Sequence, residues 1–253
     1  VKSSQKNPQN DILTASRKVA SLFSGCGGMD LGFEGGFNVL RKSIIDRKDI
    51  VKTKRSLMIT LPRTAFRTIF ACDVAKSTKV AWENYFVERR DSNSEAFHLE
   101  SIVDVVKNLR ENKRDYGLKN SKREYHVDVV TGGFPCNDFS VAGKRLGFES
   151  NKSHRGNKAI LDTEIDDPTA ENRGMLYYWM KEFISEVRPK VFYAENVKGL
   201  VSLGDAKRII EHDFSSIGDS SYYVLPVKVL KAMEFGVPQT RERVIFIGVD
   251  KTR

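Results

Sequence analysis

Cysteine is scarce in this chain: three in 253 residues, Cys26, Cys72 and Cys136, and no pair has CxxC spacing. An odd, scattered set argues against a disulfide framework or a thiolate zinc site, and for a reducing compartment in which a thiol persists as a chemical tool. Long apolar runs are missing as well. None approaches the ~20 residues of a membrane-spanning helix. No basic segment followed by an apolar one stands at the start, so the expected location is the cytoplasm rather than the secretory route. No internal repeat is found, and the dinucleotide pattern GxGxxG is absent, which disfavours NAD.

What is present suffices for one large α/β domain or two small ones: 40% hydrophobic and 30% charged residues. Lys and Arg number 42 against 33 Asp and Glu, a net charge of +9. Such an excess suits a polyanionic partner, because phosphate neutralisation supplies much of nucleic-acid affinity. A basic soluble protein without such a partner has the same composition.

Along the chain, residues 1–17 are polar and read as a flexible lead-in, with a single domain over 18–253. Residues 19–23 (VASLF) form a short apolar strand that runs into Gly25-Cys26-Gly27-Gly28, and a helix starts at Met29. The Lys- and Arg-rich segment 41–67 reads as an inserted surface excursion. Residues 68–72 make a second strand with Asp73 at its end, followed by a helix over 74–86. Residues 107–125 are basic and poorly patterned, and 126–130 (HVDVV) form the next strand. Residues 143–172 read as a mobile loop. Leu176, Met180, Phe183, Ile184 and Val187 recur at helical spacing, and Pro189 stops that helix. Strands follow at 191–194, 222–225 and 244–249. Strand and helix alternate with polar motifs at strand ends. The pattern predicts an α/β fold with a doubly wound, mainly parallel sheet and a site along its carboxyl edge.

Four constellations carry chemistry, each with a plainer reading beside it. The glycines after Phe23 let a backbone pass close under a ligand and present helix amides to a carboxylate, or they only make a tight bend. Asp73, at the end of the next strand, can accept from ribose hydroxyls. Cys136 in Gly133-Phe134-Pro135-Cys136 is either an exposed nucleophilic thiolate or a buried apolar cysteine; Cys26 and Cys72 fit the second description. Glu195, before Asn196, is a helix cap or a pocket acid that delivers a proton. The run Gln239-Thr240-Arg241-Glu242-Arg243 is a solvated turn, or a pair of guanidiniums holding a carbonyl, a phosphate or that acid.

Together, in this order, the segments resemble the cytosine-C5 methyltransferase family across roughly residues 18 to 250. FSGCGGMDLGFEGGF is similar to its first cofactor motif, and GGFPCNDFSVAGKR to its Pro-Cys motif. RGMLYYW, AENVKGL and FGVPQTRERVIFIGV are similar to its later helix, Glu-Asn-Val and Gln-x-Arg-x-Arg motifs. The resemblance implies the seven-stranded, Rossmann-like sheet of S-adenosylmethionine-dependent methyltransferases. It implies methyl transfer to C5 of a cytosine flipped out of double-stranded DNA, within a bacterial restriction–modification system and without a metal. Cys136 would attack C6, Glu195 would protonate N3, Arg243 would hold O2, and Arg241 would support the acid. Phe134 would offer its carbonyl to the exocyclic amine, and Asn196 and Gln239 would join the substrate side. Ser140, Lys144 and Arg145 would lie on a loop that closes over DNA.

For S-adenosylmethionine, the resemblance implies a pocket of Phe23, Ser24, Gly25, Gly27, Gly28, Asp73, Val74, Ser101, Ile102, Pro135 and Leu176. Two departures stand out. The family's adenine-contacting Asp is replaced by Ser101, unless Asp104 serves in a shifted register; and Asn137 stands where Gln is commoner. No target-recognition domain or closing cofactor helix follows the Arg-x-Arg strand. The expectation is therefore that a second polypeptide, as in a split enzyme, or a further part of the same chain supplies them. A tRNA cytosine-C5 methyltransferase and a catalytically idle subunit that keeps the fold are the rival readings.

Overall fold

The computed structural model describes residues 16–44, 57–87, 95–135, 175–203, 205–218 and 222–252. The chain enters through strand β1 (Arg17–Leu22), whose last four residues are wholly buried. It then forms α1 (Gly28–Glu34), a small antiparallel pair β2 (Asn38–Leu40) and β3 (Met58–Thr60), β4 (Phe66–Asp73), α2 (Lys76–Phe86), β5 (Phe97–Leu99) and α3 (Ile102–Arg110). The second half runs through β6 (Val129–Gly132), α4 (Leu176–Val187), β7 (Val191–Val197), α5 (Ala206–Ser215), β8 (Tyr222–Val224), β9 (Lys228–Lys231) and β10 (Glu242–Asp250).

The main sheet has the order β5-β4-β1-β6-β7-β10-β8, and β9 adds to β10. The five strands from β5 to β7 are mutually parallel, while β10 runs antiparallel to β7, β8 and β9. This is the mainly parallel, doubly wound α/β sheet that the strand–helix alternation predicts, with β9 as an eighth strand beside the expected seven. From β1 the chain winds outward to β4 and β5, then returns to the other side through β6 and β7. The order therefore reverses between β1 and β6, where a crevice opens at the carboxyl ends of the strands. Leu22 and Gly132 are paired across that point.

Strand periodicity explains how both faces are covered. Along β4, Phe70 and Cys72 belong to the large core with α3, α4 and α5, whereas Ala71 between them packs with Trp82 and Phe86 of α2. Helix α3 buries Ile102, Val105, Val106 and Leu109, spaced i, i+3, i+4 and i+7, and Ser101 caps it by accepting from the Val103 amide at 3.3 Å. In α5, Ala206, Ile210 and Phe214 bury one stripe. No helix among the described residues is long and apolar enough to cross a membrane.

Several sequence expectations shift. The strand expected at 126–130 is β6, placed at Val129–Gly132. Parallel pairing starts at Val19↔Val129, and the Asp128 carboxylate is already engaged by the Lys18 amide (2.9 Å) and the Lys190 ammonium (2.8 Å). The stretch 107–125, read as unpatterned, contains the end of α3 and a loop closed by a Lys119↔Tyr125 bridge over the fully buried Leu118. Phe66 and Arg67, at the end of the expected excursion, already belong to β4. Cys72 is buried as expected, but Cys26 is exposed, because it sits on the outside of the Gly-rich turn.

Candidate active site

The carboxyl edge gathers most of the motif residues. A cleft of about 200 Å3 at the β1/β6 switch point is lined by Phe23, Asp73, Val74, Ser101, Ile102, Pro135 and Leu176, together with Cys72, Glu100 and Gly133. The first seven are all residues expected at a cofactor. Phe23 follows β1 with φ 53, a left-handed backbone that a bulky side chain adopts at a cost and that recurs at ligand sites. Asp73 ends β4, and its carboxylate accepts from the Gly25 amide (Oδ2, 3.0 Å) and the Ala75 amide (Oδ1, 3.0 Å). It thus ties the Gly-rich loop to the next strand and keeps lone pairs for further donors.

The Gly-rich loop contributes differently from expectation. Ser24, Gly25, Gly27 and Gly28 are not in the cleft wall. Gly25 has φ +56, and a Cβ built on it or on Gly28 meets nothing within 4 Å, so open space lies beside both. Gly27 is a packing glycine rather than part of the cradle: with φ +84, its Cβ would sit 2.7 Å from Trp82 Cδ1. Ser24 faces inward, its hydroxyl donating to Asp30 Oδ2 at 2.6 Å, where Trp82 Nε1 also donates at 2.6 Å. Asp30 is fully buried, and burial raises its carboxyl pKa against the lowering effect of these bonds. Sequence reasoning missed this brace. Its signal was an acid inside an otherwise apolar helix start.

Ser101 is 3% exposed and borders the cleft, while Asp104 lies one turn into α3 and does not line it. Of the two candidates, Ser101 is the one beside the cleft. Glu100, also missed, accepts from Asn108 Nδ2 (2.8 Å) and from the Tyr116 hydroxyl (2.9 Å), with Arg114 at 3.6 Å.

The acid side of the site comes from two antiparallel strands. Glu195 in β7 pairs with Ile245 in β10, and Arg243 pairs with Val197. Side chains alternate across a sheet, so Arg243 and Glu195 share a face, and the two-residue spacing of Arg241 carries it to the same side. Arg243 Nε lies 2.6 Å and Arg241 Nη2 3.4 Å from the same oxygen, Glu195 Oε1. Oε2 turns to the neighbouring strand end, where a Cβ on Gly133 would be 3.4 Å away. Gly133 therefore stands between the cleft on one side and the carboxylate on the other.

Asn196 corrects an expectation. It is 1% exposed, on the opposite face from Glu195, and its Nδ2 donates to the Phe134 carbonyl at 3.1 Å while Oδ1 accepts from the Val197 amide at 2.8 Å. Alternation along β7 turns it away from the open face, so it holds the Phe134-Pro135 turn instead of facing a substrate. The Phe134 side chain is buried against Tyr177. Gln239 is exposed just before β10. Cys136, Asn137, Ser140, Lys144 and Arg145 lie outside the described residues; Cys136 is bonded to Pro135 of the cleft wall.

The sheet, with its crevice at the β1/β6 reversal and an acid closing the second strand, is of the Rossmann-like, S-adenosylmethionine-dependent methyltransferase type. A prophage-encoded Escherichia coli protein superposes with TM-score 0.54 at 20% identity, over 94% of this chain and 47% of its own. An Entamoeba histolytica methyltransferase, EhMeth, superposes with 0.52 at 14% identity, over 92% and 53%. Sequence comparison is more specific: residues 61–158 and 166–253 match the family described as C-5 cytosine-specific DNA methylase. The chain belongs to that family. It is 33% identical over 246 residues to the Type II methyltransferase M.BsuRI of Bacillus subtilis, covering 95% of this chain and 45% of the relative. It is 30% identical over 239 residues to M.AquIA of Picosynechococcus, covering 92% and 71%. It spans less than half the length of M.BsuRI and of the Psychrobacter enzyme M.PspPI.

Proposed function

We propose that the chain forms the catalytic part of a DNA cytosine-C5 methyltransferase that uses S-adenosylmethionine and a Cys136 adduct. The observation that carries this is the position of Gly133, three residues before Cys136 in sequence, which borders the cleft while lying against Glu195 Oε2. A nucleophile and an acid on either side of a pyrimidine, beside a methyl donor, is the arrangement the reaction needs.

The cleft suits the cofactor by chemistry. Phe23, Ile102 and Leu176 offer apolar faces for a base, and Asp73 offers acceptors for a sugar. The cofactor supplies an electrophilic sulfonium methyl. On the substrate side, the Cys136 thiolate adds to C6 as the Glu195 carboxylic acid gives a proton to N3, so that no unshielded carbanion forms. Arg243 and Arg241, held over Glu195, orient it and can pass one guanidinium to the ring carbonyl. Addition at C6 makes C5 nucleophilic toward the methyl that the cofactor would supply, with its thioether as leaving group; loss of the C5 proton to solvent and expulsion of the Cys136 thiolate would then restore the aromatic ring. Asn196 acts as a positioning residue through the Phe134 carbonyl.

Reaching C6 requires the base to leave the duplex. Reading of a target sequence in double-stranded DNA is proposed for further polypeptide, on a second subunit or on the same chain, because the chain spans less than half the length of M.BsuRI and M.PspPI. Restriction–modification is the setting this supports, in a bacterial cytoplasm. The test is covalent trapping on 5-fluorocytosine duplex DNA with S-adenosylmethionine, alongside tritiated methyl transfer to duplex DNA and to tRNA. A DNA adduct lost in Cys136→Ala is expected. Transfer to tRNA alone, or an adduct that survives the substitution, would overturn the reading.

A further inference from the structure

A second cavity, of about 430 Å3, lies toward the amino-terminal ends of β1 and β4, away from the edge that carries the cleft. Its wall includes Lys18, Arg67, Thr68, His98, Arg114 and His126. Five buried side-chain polar atoms have no hydrogen-bond partner among the described residues, and three of them, Thr68 Oγ1, His98 Nε2 and His126 Nδ1, belong to residues of this one wall. Burying a polar group with no partner forfeits its hydration, so such atoms are rare unless something else satisfies them. Thr68 is fully buried and His98 is 8% exposed, so bulk solvent does not serve them.

The protonation of His98 follows from its neighbours. Its Nδ1 lies 3.2 Å from Arg114 Nη2, and a guanidinium can only donate, so Nδ1 accepts and the ring proton sits on Nε2. Burial, then the Arg114 and Lys79 charges, push its pKa down to about 4, so the ring is neutral near pH 7. Phe70 stacks on the imidazole and Tyr116 meets it edge-on, both at 5.1 Å between centroids, which fixes the direction of Nε2–H. The cavity thus presents a fixed N–H, a hydroxyl and three cationic side chains, against the exposed carboxylates of Glu95 and Asp115. Donors from separate elements around a cationic hollow suit a tetrahedral oxyanion. No group of three or more His, Cys, Asp or Glu among the described residues is arranged to hold a metal ion.

We propose that this cavity is a second ligand site, which binds a phosphate group, either inorganic phosphate or the phosphate of a small phosphomonoester. It is independent of the methyl-transfer reading and does not touch the cofactor cleft. The test uses the whole 253-residue chain at constant ionic strength, with thermal unfolding and 31P line broadening as readouts and inorganic phosphate and ribose 5-phosphate as probes. A saturable rise in Tm is expected, with ribose 5-phosphate acting more strongly if a monoester is the ligand and inorganic phosphate more strongly if it is not. Thr68→Val keeps the shape and deletes the unpartnered hydroxyl. It should weaken phosphate binding at least tenfold, leave the basal Tm equal or higher, and leave S-adenosylmethionine binding unchanged. His98→Phe, which keeps a ring of similar shape, should show the same loss. Stabilisation matched by sodium chloride, phosphate binding retained in both variants, or a lowered basal Tm in Thr68→Val with no phosphate effect in the parent chain would each overturn the proposal. The last result would assign the unpartnered atoms to internal water.

Discussion

Glu195 concentrates the chemistry at the scale of single residues. Both guanidiniums converge on Oε1, so Oε2 is the oxygen that faces the turn leading to Cys136. Glu195→Gln keeps the shape and removes the transferable proton; methyl transfer in single-turnover assays should fall about 10²- to 10⁴-fold. S-adenosylmethionine binding by calorimetry should hardly change, because Glu195 is not in the cleft wall. Asp73→Ala should do the opposite. It removes the acceptor of two loop amides and, under the proposed function, of the cofactor's sugar, and affinity should drop about tenfold or more, as charge-assisted bonds of about 1.5–3 kcal/mol are lost. His98 gives a pH signature. Its pKa is lowered from 6.5 to about 4 by burial, Arg114 and Lys79. Below pH 6.5 the unfolded chain takes up a proton that the folded chain refuses, so His98's contribution is intact above that pH and declines as pH falls toward 4. Denaturant unfolding of His98→Gln should lack this part of the slope.

At the scale of elements, the Gly-rich turn is a joint between β1, α1 and α2. The buried Asp30 receives the Ser24 hydroxyl and the Trp82 indole, and Gly27 passes against the same indole. A side chain at Gly27 must both hold a left-handed backbone and displace Trp82. Gly27→Ala should therefore cost about 1–3 kcal/mol from backbone strain alone and lower the Tm by several degrees, read by thermal unfolding. Helices α3 and α4 meet beside the cleft and set its apolar wall through Ile102 and Leu176, each at the first position of its helix. The acid side rests instead on β7 and β10.

Over the whole molecule, two polar sites occupy opposite ends of one sheet. The carboxyl edge carries the crevice created by the strand-order reversal, and the other end carries the cationic hollow with its unpartnered atoms. The net charge of +9 favours phosphate partners in general, and DNA above all under the proposed function. Binding of the chain to duplex DNA should be weak and fall steeply with salt, checked by anisotropy titrations at two ionic strengths. Sequence-specific methylation should appear only when polypeptide equivalent to the remainder of the longer relatives is added.

The amino-acid sequence alone determined the class of sheet and named seven of the residues that line the cleft. Short apolar strands each ended in a polar motif, and parallel strands must place those ends on one edge. Phe23, Asp73 and Pro135 at strand ends, and Ser101 and Leu176 at helix starts, could be named because such ends are local features. Helix α4 was equally legible in the i, i+4, i+7, i+8 spacing of its apolar residues, whereas α3 and α5 went unread. Only the tertiary structure decided which face each residue serves. Asn196 and Glu195 are neighbours in the chain, yet alternation along β7 sends one beneath the Phe134 turn and the other to the arginines. It also decided that Gly27 answers to an indole from α2, and that Thr68, His98 and His126, far apart in sequence, share one cavity. Such contacts depend on strand order and register, which no local pattern encodes.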